Sequence, residues 1–304
     1  MLTPDSSERF ARVAGLDLCY ETFGDDQAPA LLLVMGLGSQ MILWEDEFCV
    51  ALAGHGLRVV RFDNRDIGRS TILRQSRPPT LRQLVLRDPR GAAYSLDDMA
   101  ADAAGLLDQL GVDAAHVVGA SMGGMIAQLI AINHPERVRS LVSIMSTTGN
   151  RRVGRPRTSM IKRLIHRRPE GRERWIEDHV QTLRAIGSKV YPADSDHLRA
   201  LSARCYDRGH DRAGPGRQLA AIQTAPDRTA ELRELRLPVT VIHGRDDQLV
   251  TPSGGRATAQ AIPGSRLLML DAMAHDLPRP LWPQIIEAIL ENTAATSPNA
   301  PARS

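Results

Sequence analysis

Short apolar runs alternate with segments of helical period along most of this chain, and that alternation leaves few folds open. "ALLLVMG" (30–36), "LRVVRFD" (57–63), "AHVVGA" (115–120), "RSLVSIM" (139–145), "PVTVIHG" (238–244) and "SRLLMLDAM" (265–273) are aliphatic, largely β-branched and short, so they read as strands. Between them lie helices. "LWEDEFCVALAGHG" ends on Gly56, and "SLDDMAADAAGLLDQLG" opens on Ser95 as N-cap, carries acids in its first turn and stops at Gly111. "GGMIAQLIAINHPERV" is cut off by Pro135, and "LWPQIIEAILENTAA" is the last helix. Such repetition builds βαβ units into a mostly parallel, doubly wound α/β sheet. An antiparallel hairpin, "ERFARVAGLDLCYETFG", is expected at the sheet edge.

Two stretches interrupt the pattern. Residues 71–94 form a Pro- and Arg-rich excursion. Residues 148–236 are helical in pattern and separate two strands that must be near neighbours, so they are expected to be an inserted helical cap on a core of residues 1–147 and 237–291. Residues 292–304 are expected to be a disordered tail. A chain of 304 residues buries a substantial core without disulfide help. Cys19, Cys49 and Cys205 are odd in number and match no metal-ligand spacing, which fits a reducing compartment. With no apolar leader and no run near the ~20 residues of a membrane span, the expectation is a soluble cytoplasmic protein.

The net charge of +3 conceals a strong asymmetry, since residues 151–236 hold 20 Arg and Lys against 11 Asp and Glu. A basic surface is one footprint of nucleic-acid binding, but no aromatic platform or binding module accompanies it, so no nucleic-acid partner is expected.

Gly119-Ala120-Ser121-Met122-Gly123 fits G-x-S-x-G at the junction of a strand and a helix. That context makes it a nucleophile elbow, with glycines where backbones approach too closely for a Cβ and a helix N-terminus facing the oxygen that the serine attacks. A serine used only as a helix cap would leave the glycines unexplained. Its hydroxyl needs a base, and the base needs an orienting group. Of nine histidines, His275 alone follows the last strand in a loop, "DAMAHDLPRP", with Pro278 and Pro280 blocking a helix behind it. For the acid, "STTGN" after the fourth strand holds no carboxylate, whereas "RDDQLVTP" after the fifth holds two. Asp247 lies deeper in that turn, leaving Asp246 to solvent or to Arg245. The chain order Ser, Asp, His is that of α/β-hydrolases.

An oxyanion hole requires two converging N–H groups. Met122 supplies one, and Leu37, between Gly36 and Gly38, the other. A dinucleotide reading of that loop fails because position 41 is Met, and no phosphate-binding G-x-x-x-x-G-K motif occurs, so no cofactor or metal is expected.

With these motifs in view, the chain resembles the α/β-hydrolase superfamily, and within it cofactor-independent serine esterases of the aclacinomycin methylesterase and mycobacterial lipase-like kind. The resemblance spans most of residues 12–291 and rests on "LLLVMGLG", "RFDNRDIGRS", "VVGASMGGMIAQ", "VIHGRDDQLV" and "GRATAQAIPGSRLLMLDAMAHDLP". It implies Ser121, Asp247 and His275 as the triad, with Leu37 and Met122 at the oxyanion. Met35-Gly36 stands where many members have His-Gly, and Gln248 where proline is usual. The cap is the least similar part.

Met35, Met41, Trp44, Met160 and Leu164 are expected to line a deformable, apolar substrate pocket, with Leu43 and Met125 assigned to the core. In "TSMIKRLIHRR", Met160, Ile161, Leu164 and Ile165 share one helical face, away from Lys162, Arg163, Arg167 and Arg168. This helix is read as a solvated lid over the pocket, and secondarily as an interfacial helix touching anionic lipid. The expected activity is ester hydrolysis through an acyl-enzyme, on a small-molecule substrate. Lactone or carbon–carbon bond hydrolysis and perhydrolase or haloperoxidase chemistry use the same triad, while a homologue that only binds its ligand is a different class.

Overall fold

The computed structural model of the chain describes residues 8–164 and 169–296. Eight strands among them form one sheet: β1 (Arg9–Val13), β2 (Leu16–Phe23), β3 (Ala30–Val34), β4 (Arg58–Phe62), β5 (Ala115–Ala120), β6 (Val138–Ile144), β7 (Val239–Gly244) and β8 (Arg266–Leu270). Their spatial order is β1-β2-β4-β3-β5-β6-β7-β8. The expected edge hairpin is present: β1 pairs antiparallel with β2, which pairs antiparallel with β4, and all later pairings are parallel. Between them run α1 (Asp46–Ala53), α2 (Leu81–Leu86), α3 (Leu96–Gln109), α4 (Met122–Asn133), α5 (Thr158–Leu164), α6 (Arg172–Ile186), α7 (Ser195–Arg208), α8 (Gly214–Thr224), α9 (Thr229–Leu232), α10 (Ser253–Ala261) and α11 (Trp282–Ala294).

Strand alternation divides the core between the two faces of the sheet. Leu32 and Val34 of β3 point into a layer with α3, α4 and α10, whereas Leu31 and Leu33 point into one with α1 and α11. Local signals start and stop the helices as expected. Ser95 accepts the Asp98 N–H while the Asp98 carboxylate accepts the Ser95 N–H, a reciprocal cap at the head of α3.

β6 and β7 are parallel neighbours, so the inserted helices α5 to α9 leave and re-enter the sheet at adjacent positions. Two buried arginines fasten them to the core. Arg208, ending α7, donates to Asp63 at 2.9 Å and Glu8 at 2.6 Å, and Arg217 of α8 grips both oxygens of Asp66 at 2.7 and 2.8 Å. Removing one member of such a pair strands a buried charge, at a typical cost of about 3–5 kcal/mol.

One boundary shifts. Residues 292–294, expected in the tail, continue α11, because Asn292 is buried and bridges Thr240 at 3.1 Å and the Leu141 carbonyl at 3.0 Å. An amide tying a helix to two strands is not apparent from hydropathy. Residues 297–304 lie outside the described residues.

β5, the strand that leads to Ser121, carries buried His116, whose Nδ1 lies 2.8 Å from Ser140 Oγ. Burial, with the charge of Arg139, pushes its pKa from 6.5 down to about 4. The unfolded chain therefore binds a proton between pH 6.5 and 4 that the folded chain refuses, and this contribution to stability, on the order of 3 kcal/mol, is complete above that window and lost as pH falls through it. Urea melts stepped through the window should show a shallower loss of stability for His116→Gln than for the parent chain, and parallel curves would refute the assignment.

Candidate active site

The sheet order reverses between β3 and β5, so the loops that leave their carboxyl ends face each other across a crevice. Ser121 stands at its centre, between the last residue of β5 and the first of α4. Its backbone adopts φ 58° and ψ −119°, a strained conformation for a side-chain-bearing residue. The surroundings hold it there. Its N–H donates to the Ile144 carbonyl at 2.9 Å and its own carbonyl accepts from Ser146 Oγ at 2.8 Å. The glycines permit the turn: a Cβ on Gly119 would sit 2.1 Å from the Gly123 carbonyl oxygen, and one on Gly123 2.1 Å from that of Val34.

Ser121 Oγ lies 2.9 Å from His275 Nε2, and His275 Nδ1 lies 2.7 Å from Asp247 Oδ2. The three residues span more than half the chain and meet at one rim. The other oxygen of Asp247 accepts the N–H groups of Leu249 at 2.8 Å and Val250 at 2.9 Å. Burial raises the pKa of this carboxyl, but the charge of His275 and hydrogen bonds from His243 and His275 outweigh it, so Asp247 titrates well below the ordinary carboxylate range. It stays ionised. Asp246 is exposed, and Arg245 pairs with Asp271 at 2.6 Å rather than with Asp246.

Residues 29–278 match the family model described as the alpha/beta hydrolase fold. The chain is an α/β-hydrolase. It is 30% identical to rhodomycin D methylesterase of Streptomyces sp. (strain C5) over 296 residues, covering 91% of this chain and 95% of that one. Rhodomycin D methylesterase of Streptomyces peucetius is likewise 30% identical, over 300 residues, covering 91% and 95%. Among solved structures, an enol-lactonase from Burkholderia xenovorans LB400 superposes with a TM-score of 0.73 at 26% identity, covering 93% of this chain and 99% of that one.

In this α/β-hydrolase the residues that hold the site outnumber those that its motifs name. The N–H groups of Leu37 and Met122 make no hydrogen bond among the described residues, whereas those beside Leu37 are engaged: Gly38 donates to Gln218 Oε1 at 2.8 Å and Met41 to Asp63 Oδ1 at 2.7 Å. Asn64 Nδ2 donates to the Met35 carbonyl at 2.9 Å. Gln218, on α8 of the cap, also donates to the Arg65 carbonyl at 2.8 Å, so one buried amide spans two loops. Asp63 and Asn64 belong to "RFDNRDIGRS", a segment visible in the sequence without an assigned task. Nothing in the sequence signals Gln218.

The catalytic loop candidate is braced in the same way. The His275 N–H donates to the Ile186 carbonyl at 3.0 Å, Asp276 Oδ2 accepts the Ser188 N–H at 2.9 Å, and Ser188 Oγ donates to the Ala272 carbonyl at 2.6 Å. The end of α6 thus sits on the histidine loop. A second histidine backs the acid: His243 Nε2 is 2.8 Å from the Val250 carbonyl and 3.4 Å from Asp247 Oδ2.

The pocket expectations need correction. Met41 and Trp44 are 0% exposed and line no open surface. Trp44 stacks on Phe48 with ring centroids 5.7 Å apart, while Met41 packs with Cys19, Trp175 and Ile176. Both support the site from behind, because the turn after the oxyanion loop aims them inward. Met35 and Met160 are also buried, Met35 in the layer with α1 and α11. The side chain of Leu164 and residues 165–168, including Ile165, Arg167 and Arg168, lie outside the described residues. A small cavity of about 20 Å³, room for roughly one water, lies beside Gly38, lined by Leu43, Ile67, Trp175, His179 and His210 among others. Leu43, expected in the core, therefore contributes to its wall, and the cap supplies the aromatic side chains.

Replacing Gln218 by Leu removes the acceptor that holds the Gly38 N–H, leaving the oxyanion loop loose by a fraction of an ångström. Turnover should fall by about tenfold to a hundredfold with a smaller change in KM. Steady-state kinetics on a soluble p-nitrophenyl ester provides the check, and an unchanged kcat would remove this role from Gln218.

Proposed function

We propose that this chain hydrolyses carboxylic esters of bulky, apolar acids through an acyl-enzyme formed on Ser121. It is a carboxylic ester hydrolase. The observation that carries the reading is the continuous relay from Ser121 Oγ through His275 to Asp247, at 2.9 and 2.7 Å, beside two uncommitted N–H groups. His275 Nε2 takes the serine proton as Oγ attacks the ester carbonyl, and the electron pair of the carbonyl moves to its oxygen. The Leu37 and Met122 N–H groups, reinforced by the positive end of α4, stabilise that oxyanion. When the tetrahedral intermediate collapses, the imidazolium returns the proton to the departing alcohol. Water repeats the sequence on the acyl-enzyme, with His275 again as base, and releases the acid. Ionised Asp247 accepts from His275 Nδ1–H throughout, fixing the tautomer that leaves Nε2 free to accept.

The choice of substrate rests on two supports. The relatives at 30% identity carry the name methylesterase, and the small cavity beside the oxyanion loop is walled by Leu43, Ile67 and Trp175. A methyl ester of a large aromatic or polycyclic acid is the class these supports favour, with the small alcohol leaving and the acid lying against these apolar side chains and not enclosed by them, since the cavity itself measures about 20 Å³. Lactone opening is the second reading, favoured by the enol-lactonase neighbour at 26% identity. The cytoplasmic setting belongs to the same proposal and rests on an odd number of cysteines.

Ser121→Ala should lower kcat by on the order of 10⁴ or more and abolish labelling by a fluorophosphonate probe. Retained hydrolysis in that variant would end the mechanism, and absence of labelling in the parent chain would leave a binding protein without turnover. A panel of p-nitrophenyl esters of increasing acyl length, a bulky aromatic methyl ester and a lactone then ranks the substrate classes. Preference for short acyl chains over the methyl ester would overturn the substrate proposal while leaving the triad intact.

A further inference from the structure

The excursion after β4 contains a helix that buries none of its own residues. Leu81, Val85 and Leu86 of α2 are 59%, 70% and 64% exposed, three of the eight large hydrophobic side chains that stand in solvent among the described residues. Scattered apolar residues need no explanation, but three on one six-residue helix form a patch. Gln83 and Leu84 are half-buried on its inner side, and capping fixes its ends. Thr80 Oγ1 accepts the Gln83 N–H at 3.2 Å and Gln83 Oε1 accepts the Thr80 N–H at 2.9 Å, while Arg87 closes the helix in a left-handed conformation at φ 53°. The cap geometry turns Leu81, Arg82, Val85 and Leu86 outward together.

Charge distinguishes this patch from an ordinary loop tip. Residues 71–94 hold five arginines, Arg74, Arg77, Arg82, Arg87 and Arg90, against a single acid, Asp88, which is engaged by Arg90. The loop after β6 adds more. Arg151 and Arg155 stand near enough to Arg87 that their charge, after burial, lowers its pKa. The excursion packs against the cap, since Pro79 lies beside Gly216 of α8, the helix whose Gln218 holds Gly38.

We propose that α2, with Arg82 and Arg87 and the neighbouring Arg151 and Arg155, is a docking face for an anionic lipid surface. Aliphatic side chains enter the boundary between headgroups and acyl chains while the guanidinium groups meet phosphate oxygens. A second copy of the chain is the poorer occupant, since two such faces would set arginine against arginine. This site is distinct from the cap helix α5, which the sequence offers for interfacial contact.

Sedimentation of the full chain with phosphatidylcholine vesicles, with and without phosphatidylglycerol, tests the proposal. Binding should be at least about tenfold stronger to the anionic vesicles and should weaken as salt screens the arginines. Leu81→Ser/Val85→Ser/Leu86→Ser should lose about tenfold or more of that binding, and Arg82→Gln/Arg87→Gln about fivefold per arginine, both with an unchanged far-UV circular dichroism spectrum and thermal melt as proof of folding. Equal binding to both vesicle types, binding unaffected by either variant, or light scattering that shows a dimer dissociated by the triple variant would overturn it. None of these readouts depends on the hydrolytic mechanism.

Discussion

The approach of α4 to the sheet is the constraint on which the reaction centre depends. Gly123 lies so close to the carbonyl of Val34 that no side chain fits, and Gly119 lies as close to Gly123 itself. These contacts force a sharp turn from strand into helix, and the turn puts Ser121 at φ 58° with its hydroxyl raised above the rim. They also bring β3 and its following loop beside the serine, so that Gly36 faces Ser121 across van der Waals distance. One close contact therefore sets the Ser121 hydroxyl, the head of α4 at Met122 and the loop that carries Leu37 beside one another, the arrangement on which the proposed mechanism relies. The strain is held by packing on both sides of the sheet, not by the turn alone.

Around that centre the cap acts as a part of the framework. Its α6 ends on the histidine loop, its α8 reaches the oxyanion loop through Gln218, and its α7 and α8 are fixed to the core by arginines buried against Asp63 and Asp66. Gln40 extends the same connection, donating to the carbonyls of Cys205 at 2.6 Å and Gly209 at 2.8 Å. A change in the cap is thereby felt as a change in the position of His275 or of the Gly36–Gly38 backbone. This coupling gives a physical route from the cap to geometry at the serine, through two-ended hydrogen bonds.

Much of this was legible from the residues. Six parallel strands, an edge hairpin and the capped helix at Ser95 follow from periodicity and capping chemistry, which act over a few residues. Ser121, Asp247 and His275 were legible for another reason: each lies just past a strand's carboxyl end, and a parallel sheet gathers those ends on one edge. The pocket was not legible. Met41 and Trp44 look like lining from their apolarity, but whether an apolar side chain faces a cleft or a core depends on how the turn after β3 packs against the rest of the chain, here Trp175, Ile176 and Phe48. Asn292 was missed because its partners on β6 and β7 are remote in sequence.

What the sequence determined alone is the set of local and periodic features: which segments are strands, where helices begin, and which loop carries each reactive group. Those choices rest on backbone sterics and burial patterns that need no distant partner. Tertiary structure alone decided the rest, including the spacing of 2.9 and 2.7 Å along the relay, the role of Gln218, the inward turn of Met41 and Trp44, and the outward face of α2. Each of these is a relation between segments up to 180 residues apart, as between Gly38 and Gln218, and only packing of the whole chain brings such segments into register.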